Sequence, residues 1–268
     1  MPKAKHNAHL AAVKAKTPAK RAASKPEHKP HHARTHRPIE LYFWPTYNGL
    51  KISIMLEECE LPYEIKGINI NRGEQFDEHF LSISPNNRIP AIVDPNGPGG
   101  KPISIFESGA ILQYLGRKTG KFYPQEERPR VEVDQWLFWQ CAGFGPMAGQ
   151  AHHFREYAAE QIHYAIDRYT NEMNRLYGVM NKRLVHSDFL AGDYSIADMA
   201  CWGVVKSIHR QGQTLEDFPN VNAWWERMNA RPGVQRGSKA GEYLRKPDYQ
   251  ASKDPIAAQH LFGQTARS

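Results

Sequence analysis

The sequence predicts an α/β segment followed by an all-helical segment in one chain. Three observations predict it. Apolar runs of strand and helix period alternate as β-α-β-α-β-β-α over residues 39–120. A polar, proline-containing stretch, "KFYPQEERPR", then interrupts the pattern. From there to about residue 237 the apolar periodicity is helical only. The expected units are residues 39–124 and 128–237, flanked by a tail over 1–38 and an irregular extension over 238–268.

"IELYF" is rich in β-formers and reads as the first strand. "GLKISIMLEEC" places Ile52, Met55, Leu56 and Cys59 at i, i+3, i+4, i+7, one face of a helix. "YEIKGINI" is a second strand, and "QFDEHFLSIS" a short, weak helix. "RIPAIVD" and "KPISIF" are apolar runs joined by the turn signal "PNGPGG". "ESGAILQYLGRKTG" is a helix closed by Gly120 at a C-terminal glycine position. "VEVDQWLFWQCAG", "YAIDRYTNEMNRLYGVMNKRLVHS", "SIADMACWGVVKSIHRQ" and "VNAWWERMNARPG" supply the helices of the second segment.

The 268 residues, 40% hydrophobic, suffice for two modest cores. No apolar run approaches the roughly 18 residues that span a bilayer, and no apolar signal-peptide core stands at the start. A soluble, cytoplasmic protein is the expectation. The formal charge of +7 is unevenly spread. Residues 1–38 hold 10 Lys/Arg against one acid, and the remaining 230 hold 25 against 27. The tail has no aromatic residue and few large aliphatics, a composition expected to be disordered. Its charge suits weak contact with a polyanion or simple solubilisation. Cys59, Cys141 and Cys201 are far apart and odd in number, which supports neither a disulfide framework nor a zinc site. Each lies in an apolar helical run, as a small buried hydrophobe would.

Several short motifs carry two readings each. In "FWPTYNGLK" a strand passes through a short loop into a helix, where many redox proteins place a Cys-x-x-Cys pair; here the loop has no cysteine. Pro90 opens the "RIPAIVD" strand. A cis bond there would turn the backbone of Ile89 outward to pair with an extended peptide, while an ordinary edge-strand proline is the plainer reading. Glu107 and Ser108 stand where a strand gives way to a helix N-terminus. The free N–H groups suit a carboxylate and Glu107 suits an ammonium, so the pair fits the α-amino acid end of a small ligand; Ser108 as a plain N-cap is the alternative. Ser195 and Asp198 have capping-box spacing. His152 and His153 are adjacent, with His163 ten residues on, a poor arrangement for a metal.

"FWPTYNGLK", "SPNNRIPAIVD", "FESGAILQYL", "QWLFWQCAGFGPM", "AIDRY" and "YSIADMACW", in this order, resemble the glutathione S-transferase superfamily, nearest its nu-class, Ure2-like bacterial disulfide-bond reductases. The resemblance covers roughly residues 39–237. It implies a thioredoxin-like N-terminal domain with a mixed four-stranded sheet, an all-α C-terminal domain, a homodimer, glutathione as co-substrate and no metal. By the same resemblance, Ile89 pairs with the cysteinyl part of glutathione and Glu107 and Ser108 hold its γ-glutamyl end. Gln75 and Arg88 are further contacts, and Arg168 reaches the partner's ligand. Thr46 and Asn48 take the place of the catalytic Tyr, Ser or Cys of other transferases. A hydroxyl and an amide donate to a sulfur anion, and the helix start adds positive potential. Tyr47 stands where close relatives often have Pro and is a rival donor.

The implied activity is glutathione-dependent disulfide reduction. Conjugation of an electrophile, peroxide reduction and a non-catalytic regulatory role are the alternatives. Trp136, Trp139 and Phe144 line the second-substrate side or belong to the helical core.

Overall fold

The computed structural model describes residues 37–245 and 251–266. Of the basic tail, all but the last two residues lie outside the described residues, and so does the expectation of disorder placed on it.

The α/β half contains β1 (Ile39–Phe43), α1 (Tyr47–Glu58), β2 (Tyr63–Gly67), α2 (Glu78–Ile83), β3 (Ala91–Asp94), β4 (Ile103–Phe106) and α3 (Ser108–Thr119). The sheet order is β2-β1-β3-β4, with β1 parallel to β2 and antiparallel to β3, and β3 antiparallel to β4. The mixed sheet and the element order are those expected. Because successive strand side chains alternate faces, Leu41, Phe43 and Ile92 join the main core, whereas Tyr42 and Ala91 join a second cluster with Phe80 and Ile83 of α2.

The helical half comprises α4 (Glu127–Trp139), α5 (Gly145–His152), α6 (His163–Arg183), α7 (Ile196–Lys206), α8 (Pro219–Asn229) and α9 (Pro232–Gly237). π-helical turns, Gln140–Phe144 and His153–Tyr157, flank α5. Trp139 stacks on Phe144, which is fully buried, and Trp136 packs against Trp139. The three belong to the helical core, the second of the two readings.

Helix α1 differs from its amphipathic pattern. Leu50, Ile54 and even Lys51 and Ser53 are buried along with Ile52, Met55 and Leu56. The helix packs against α3, α7 and α9, so it is covered almost all round, as a central helix must be. Two glycines permit this closeness. A Cβ on Gly237 would stand 2.5 Å from Ile54 Cα, and one on Gly203 2.8 Å from the Tyr47 carbonyl oxygen. Polar bonds fix the same seam: Ser53 Oγ donates to the Gly237 carbonyl at 2.8 Å, and Arg231 grips Glu58 at 2.9 and 3.0 Å.

Ser195 and Asp198 form the capping box at the start of α7. Asp198 also accepts from the Leu190 N–H at 3.0 Å and from Trp224 Nε1 at 2.9 Å, so it ties α7 to α8 and serves the fold.

The C-terminal stretch expected to be irregular contains α10 (Pro255–Phe262). Asp254 caps it, accepting from the Ile256 and Ala257 N–H groups at 3.0 and 3.2 Å, and Pro255 occupies the first turn, where a missing N–H costs nothing. Its apolar face is too short for periodicity to reveal. Among the described residues, no helix is long and apolar enough to cross a membrane.

Candidate active site

Three cavities meet at the N-terminus of α1. The largest, about 410 Å³, is lined by Thr46, Tyr47, His152, His153, Lys206, Arg210 and Phe262, among others. The second, about 220 Å³, is bounded by Thr46, Asn48, Gln75, Arg88, Ile89 and Phe262. The third, about 240 Å³, is bounded by Asn48, Lys51, Glu107, Ser108, Gln140 and Cys141. Tyr47 lines all three, Thr46 the first two, and Asn48 the last two. The loop lacking a cysteine is therefore the junction of the whole site.

Thr46 is the N-cap of α1, and its Oγ1 accepts the Gly49 N–H at 3.3 Å. With a lone pair engaged there, the hydroxyl proton is left to donate into the cavities. The unpaired N–H groups and partial positive charge of the helix start point the same way. Tyr47 turns elsewhere. Its ring meets His152 edge-on at 6.4 Å, and a Cβ on Gly149 would lie 3.3 Å from its hydroxyl. Burial pushes the Tyr47 phenol above its usual range, the opposite of an activated acid.

The Ile89–Pro90 peptide bond is cis, and pairing of β3 with β1 starts beyond it, at Ala91. Ile89 lines the second cavity from this position. Gln75 is buried in the same wall, and its Oε1 has no hydrogen-bond partner among the described residues. Such an acceptor is costly unless a ligand satisfies it. Arg88 donates from Nη1 to Gln264 Oε1 at 2.9 Å, just beyond α10.

Glu107, at the β4–α3 junction, has φ 68° and ψ 115°, a conformation non-glycine residues rarely adopt. Strain of this kind costs roughly 1–3 kcal/mol and is concentrated at functional sites. The Glu107 carboxylate accepts from Asn86 Nδ2 at 3.3 Å. Ser108 begins α3 and accepts from Lys51 Nζ at 3.2 Å.

Of the eight candidate residues read from the sequence, seven converge on these cavities: Thr46, Asn48, Gln75, Arg88, Ile89, Glu107 and Ser108. Arg168 lies apart, exposed on α6 and in none of the three.

Four further residues belong to the site. Lys51 is 2% exposed within an apolar run, and its only sequence signal was a lysine where the helix pattern is otherwise apolar. Gln140 lies in a π-helical turn, which no spacing rule announces. Phe262 comes from the unanticipated α10 and edges against His153 at 4.9 Å. His152 is buried, with Nε2 unpartnered, and burial together with the Arg210 charge lowers its pKa to about 4.

The cysteines do not form a reactive centre. Cys141 is half-buried and borders the third cavity, more open than the buried hydrophobe expected; Cys59 and Cys201 line none of the three. Burial pushes all three thiols up, and most strongly Cys201.

Comparison with known proteins places the chain in a family. Residues 37–117 match the glutathione S-transferase N-terminal domain family and residues 150–232 the glutathione S-transferase C-terminal domain family. The chain is 54% identical over 198 residues to the disulfide-bond oxidoreductase YfcG of Escherichia coli K12, covering 73% of this chain and 92% of that one. A glutathione transferase from Burkholderia graminis, solved with two glutathione molecules per subunit, superposes with a TM-score of 0.72 at 43% identity, covering 76% of this chain and 89% of that one. A Pseudomonas putida glutathione transferase, with one glutathione disulfide per subunit, superposes with a TM-score of 0.73 at 41% identity, covering 78% and 94%. The chain belongs to the glutathione S-transferase family, with both its thioredoxin-like and its helical domain.

Proposed function

We propose that this protein is a glutathione-dependent disulfide-bond reductase that uses glutathione as its only thiol. The observation that carries this reading is the Thr46–Asn48 junction, where a hydroxyl and an amide meet three cavities and no activated protein cysteine borders them. The relatives' bound glutathione and the oxidoreductase name of YfcG support it.

In this reading one glutathione lies across the two smaller cavities. Glu107 and Ser108 hold its γ-glutamyl end. Ile89 pairs with its cysteinyl backbone, Gln75 Oε1 accepts from it, and Arg88 faces its glycine carboxylate. Its sulfur rests at Thr46 and Asn48. Hydrogen bonds to the sulfur favour the thiolate by about 1.4 kcal/mol for each unit of pKa lowering. The thiolate attacks one sulfur of the substrate disulfide in the largest cavity. A glutathione–substrate S–S bond forms, the substrate S–S bond breaks, and one substrate thiolate leaves and is protonated. A second glutathione thiolate attacks the mixed disulfide, releasing the other substrate thiol and glutathione disulfide. Two glutathiones are oxidised for each disulfide reduced. Lys206 and Arg245 line the largest cavity and suit the carboxylates of that second glutathione, whereas Arg210 in the same wall is paired with Glu156.

The reading extends to the assembly. Phe138 is 62% exposed, and Val131 shares its face of α4 seven residues away. We assign this face to a homodimer, in which Arg168 serves the partner's site. Glutathione as reductant and three unpaired cysteines suit a reducing compartment, so we place the protein in the cytoplasm.

Turnover of hydroxyethyl disulfide with glutathione tests the function. The expected result is sustained glutathione disulfide production. Tight glutathione binding without turnover would instead mark a regulatory binding protein.

A further inference from the structure

The third cavity is lined by a lysine that, among the described residues, is in salt-bridge contact with no carboxylate. Lys51 is 2% exposed, and its Nζ lies 2.7 Å from Gln140 Oε1 and 3.2 Å from Ser108 Oγ, both neutral acceptors. Among the described residues it forms no salt bridge with a carboxylate. Burying an ammonium this way is expensive, and an apolar side chain of similar length would serve the fold better. Burial accordingly lowers the Lys51 pKa, while Cys141, Cys201 and Glu107 push it the other way.

The unused donors lie together. An ammonium has three N–H groups, and two are engaged here. Gln140 is fully buried, borders the same cavity, and its Nε2 has no partner among the described residues. The Ser108 oxygen accepts from Lys51, which leaves its own proton to donate elsewhere. The first N–H groups of α3, a 12-residue helix, are orphans of the same kind. On the rim stands Glu107, exposed and held in its strained conformation. One cavity therefore offers a cluster of donors around a buried positive charge, with a carboxylate at its edge.

We propose that Lys51, held in place by Gln140, is the charged anchor for the α-carboxylate of a free α-amino acid group, whose ammonium is taken by Glu107. Resting on the glutathione reading above, this makes Lys51 the residue that selects a γ-glutamyl end over any acyl group lacking the α-carboxylate. Lys51 is a binding residue, remote from the sulfur chemistry, and the site is incomplete until a carboxylate enters it.

Calorimetric titration with glutathione and two analogues tests the assignment. 4-Aminobutyryl-cysteinyl-glycine lacks the α-carboxylate, and glutaryl-cysteinyl-glycine lacks the α-amino group. Removing one partner of a buried charge pair typically weakens binding by about 30-fold or more. The native protein is expected to bind the aminobutyryl analogue weaker than glutathione by about that factor. Lys51→Met is expected to bind glutathione and the aminobutyryl analogue alike, and to lose the same factor on the glutaryl analogue, which keeps the carboxylate. Equal losses on glutathione and the aminobutyryl analogue would overturn the assignment and leave Lys51 a structural residue. If Lys51→Met fails to fold, Gln140→Glu carries the test. Its internal carboxylate should satisfy Lys51, weakening glutathione while sparing the aminobutyryl analogue; unchanged or uniformly reduced binding would overturn the proposal. A native protein that binds no glutathione would overturn the proposed function itself, whereas binding without this selectivity overturns only the role of Lys51.

Discussion

Thr46 Oγ1 accepts the backbone N–H of Gly49 at 3.3 Å, so one side chain both caps α1 and borders two of the three cavities. These two roles separate by substitution. Thr46→Ala should cost about 1 kcal/mol of stability through the lost cap, read from urea unfolding. It should also lower disulfide turnover roughly 100-fold, the usual cost of losing one donor to a developing anion. Thr46→Ser should restore both. Tyr47→Phe should change turnover by only about twofold, the scale of a neutral substitution, because its hydroxyl abuts Gly149.

Phe262 borders both the largest cavity and the Arg88 cavity, and Gln264 holds Arg88 two residues on. Removing the ring takes apolar surface from the substrate wall while leaving Thr46 untouched. Phe262→Ala should raise KM for a disulfide substrate about fivefold, near the 1 kcal/mol lost with a partly buried aromatic face, with kcat little changed. Steady-state kinetics with two disulfides of different apolar size would show the larger effect on the larger one.

His152 sets an acid limit on stability. Its folded pKa of about 4 lies below the ordinary 6.5, so the unfolded chain binds the proton more readily. The stabilisation is complete above about pH 6.5 and is lost as pH falls towards 4. His152→Gln should remove this group's share of the slope, worth about 3 kcal/mol across the window at most. Denaturant unfolding of both proteins at pH 7 and pH 4.5 measures it: the gap between them should shift in the variant's favour on acidification.

Gly203 is where α7 meets the start of α1. A Cβ there would lie 2.8 Å from the Tyr47 carbonyl oxygen and 2.9 Å from its Cα, backbone atoms that cannot rotate away. Gly203→Ala should destabilise the protein by about 1–3 kcal/mol, as overpacking does, and lower turnover by displacing the Thr46 loop. Gly178→Ala, where an added Cβ would meet nothing within 4 Å among the described residues beyond its own stretch of α6, is the control and should leave turnover unchanged.

The legible parts of the sequence were those governed by periodicity or by an ordered set of motifs. "IELYF", "RIPAIVD" and "FESGAIL" announced β1, β3 and the β4–α3 junction, and the motif order brought Gln75 and Arg88 to the site from outside any local pattern. Other features depend on packing that no local signal encodes. Lys51 carries no stronger signal than a lysine within an apolar run, because its burial arises only when α3 and the Gln140 turn close over it. Cys141 read as core, yet the π-helical turn leaves it at a cavity edge. Helix α10 is too short for a period, although Asp254 and Pro255 signal its start in hindsight. The positive φ of Glu107 is imposed by the strand-to-helix junction, and its residue type gave no warning.

The central claim is that the reacting thiol belongs to glutathione and not to the protein. The direct measurement is hydroxyethyl disulfide turnover by a variant carrying Cys59→Ala, Cys141→Ala and Cys201→Ala, with folding checked by circular dichroism. Turnover within about threefold of the native protein is expected, since small core substitutions of this kind mainly affect stability. A folded, cysteine-free protein that no longer turns over would contradict it.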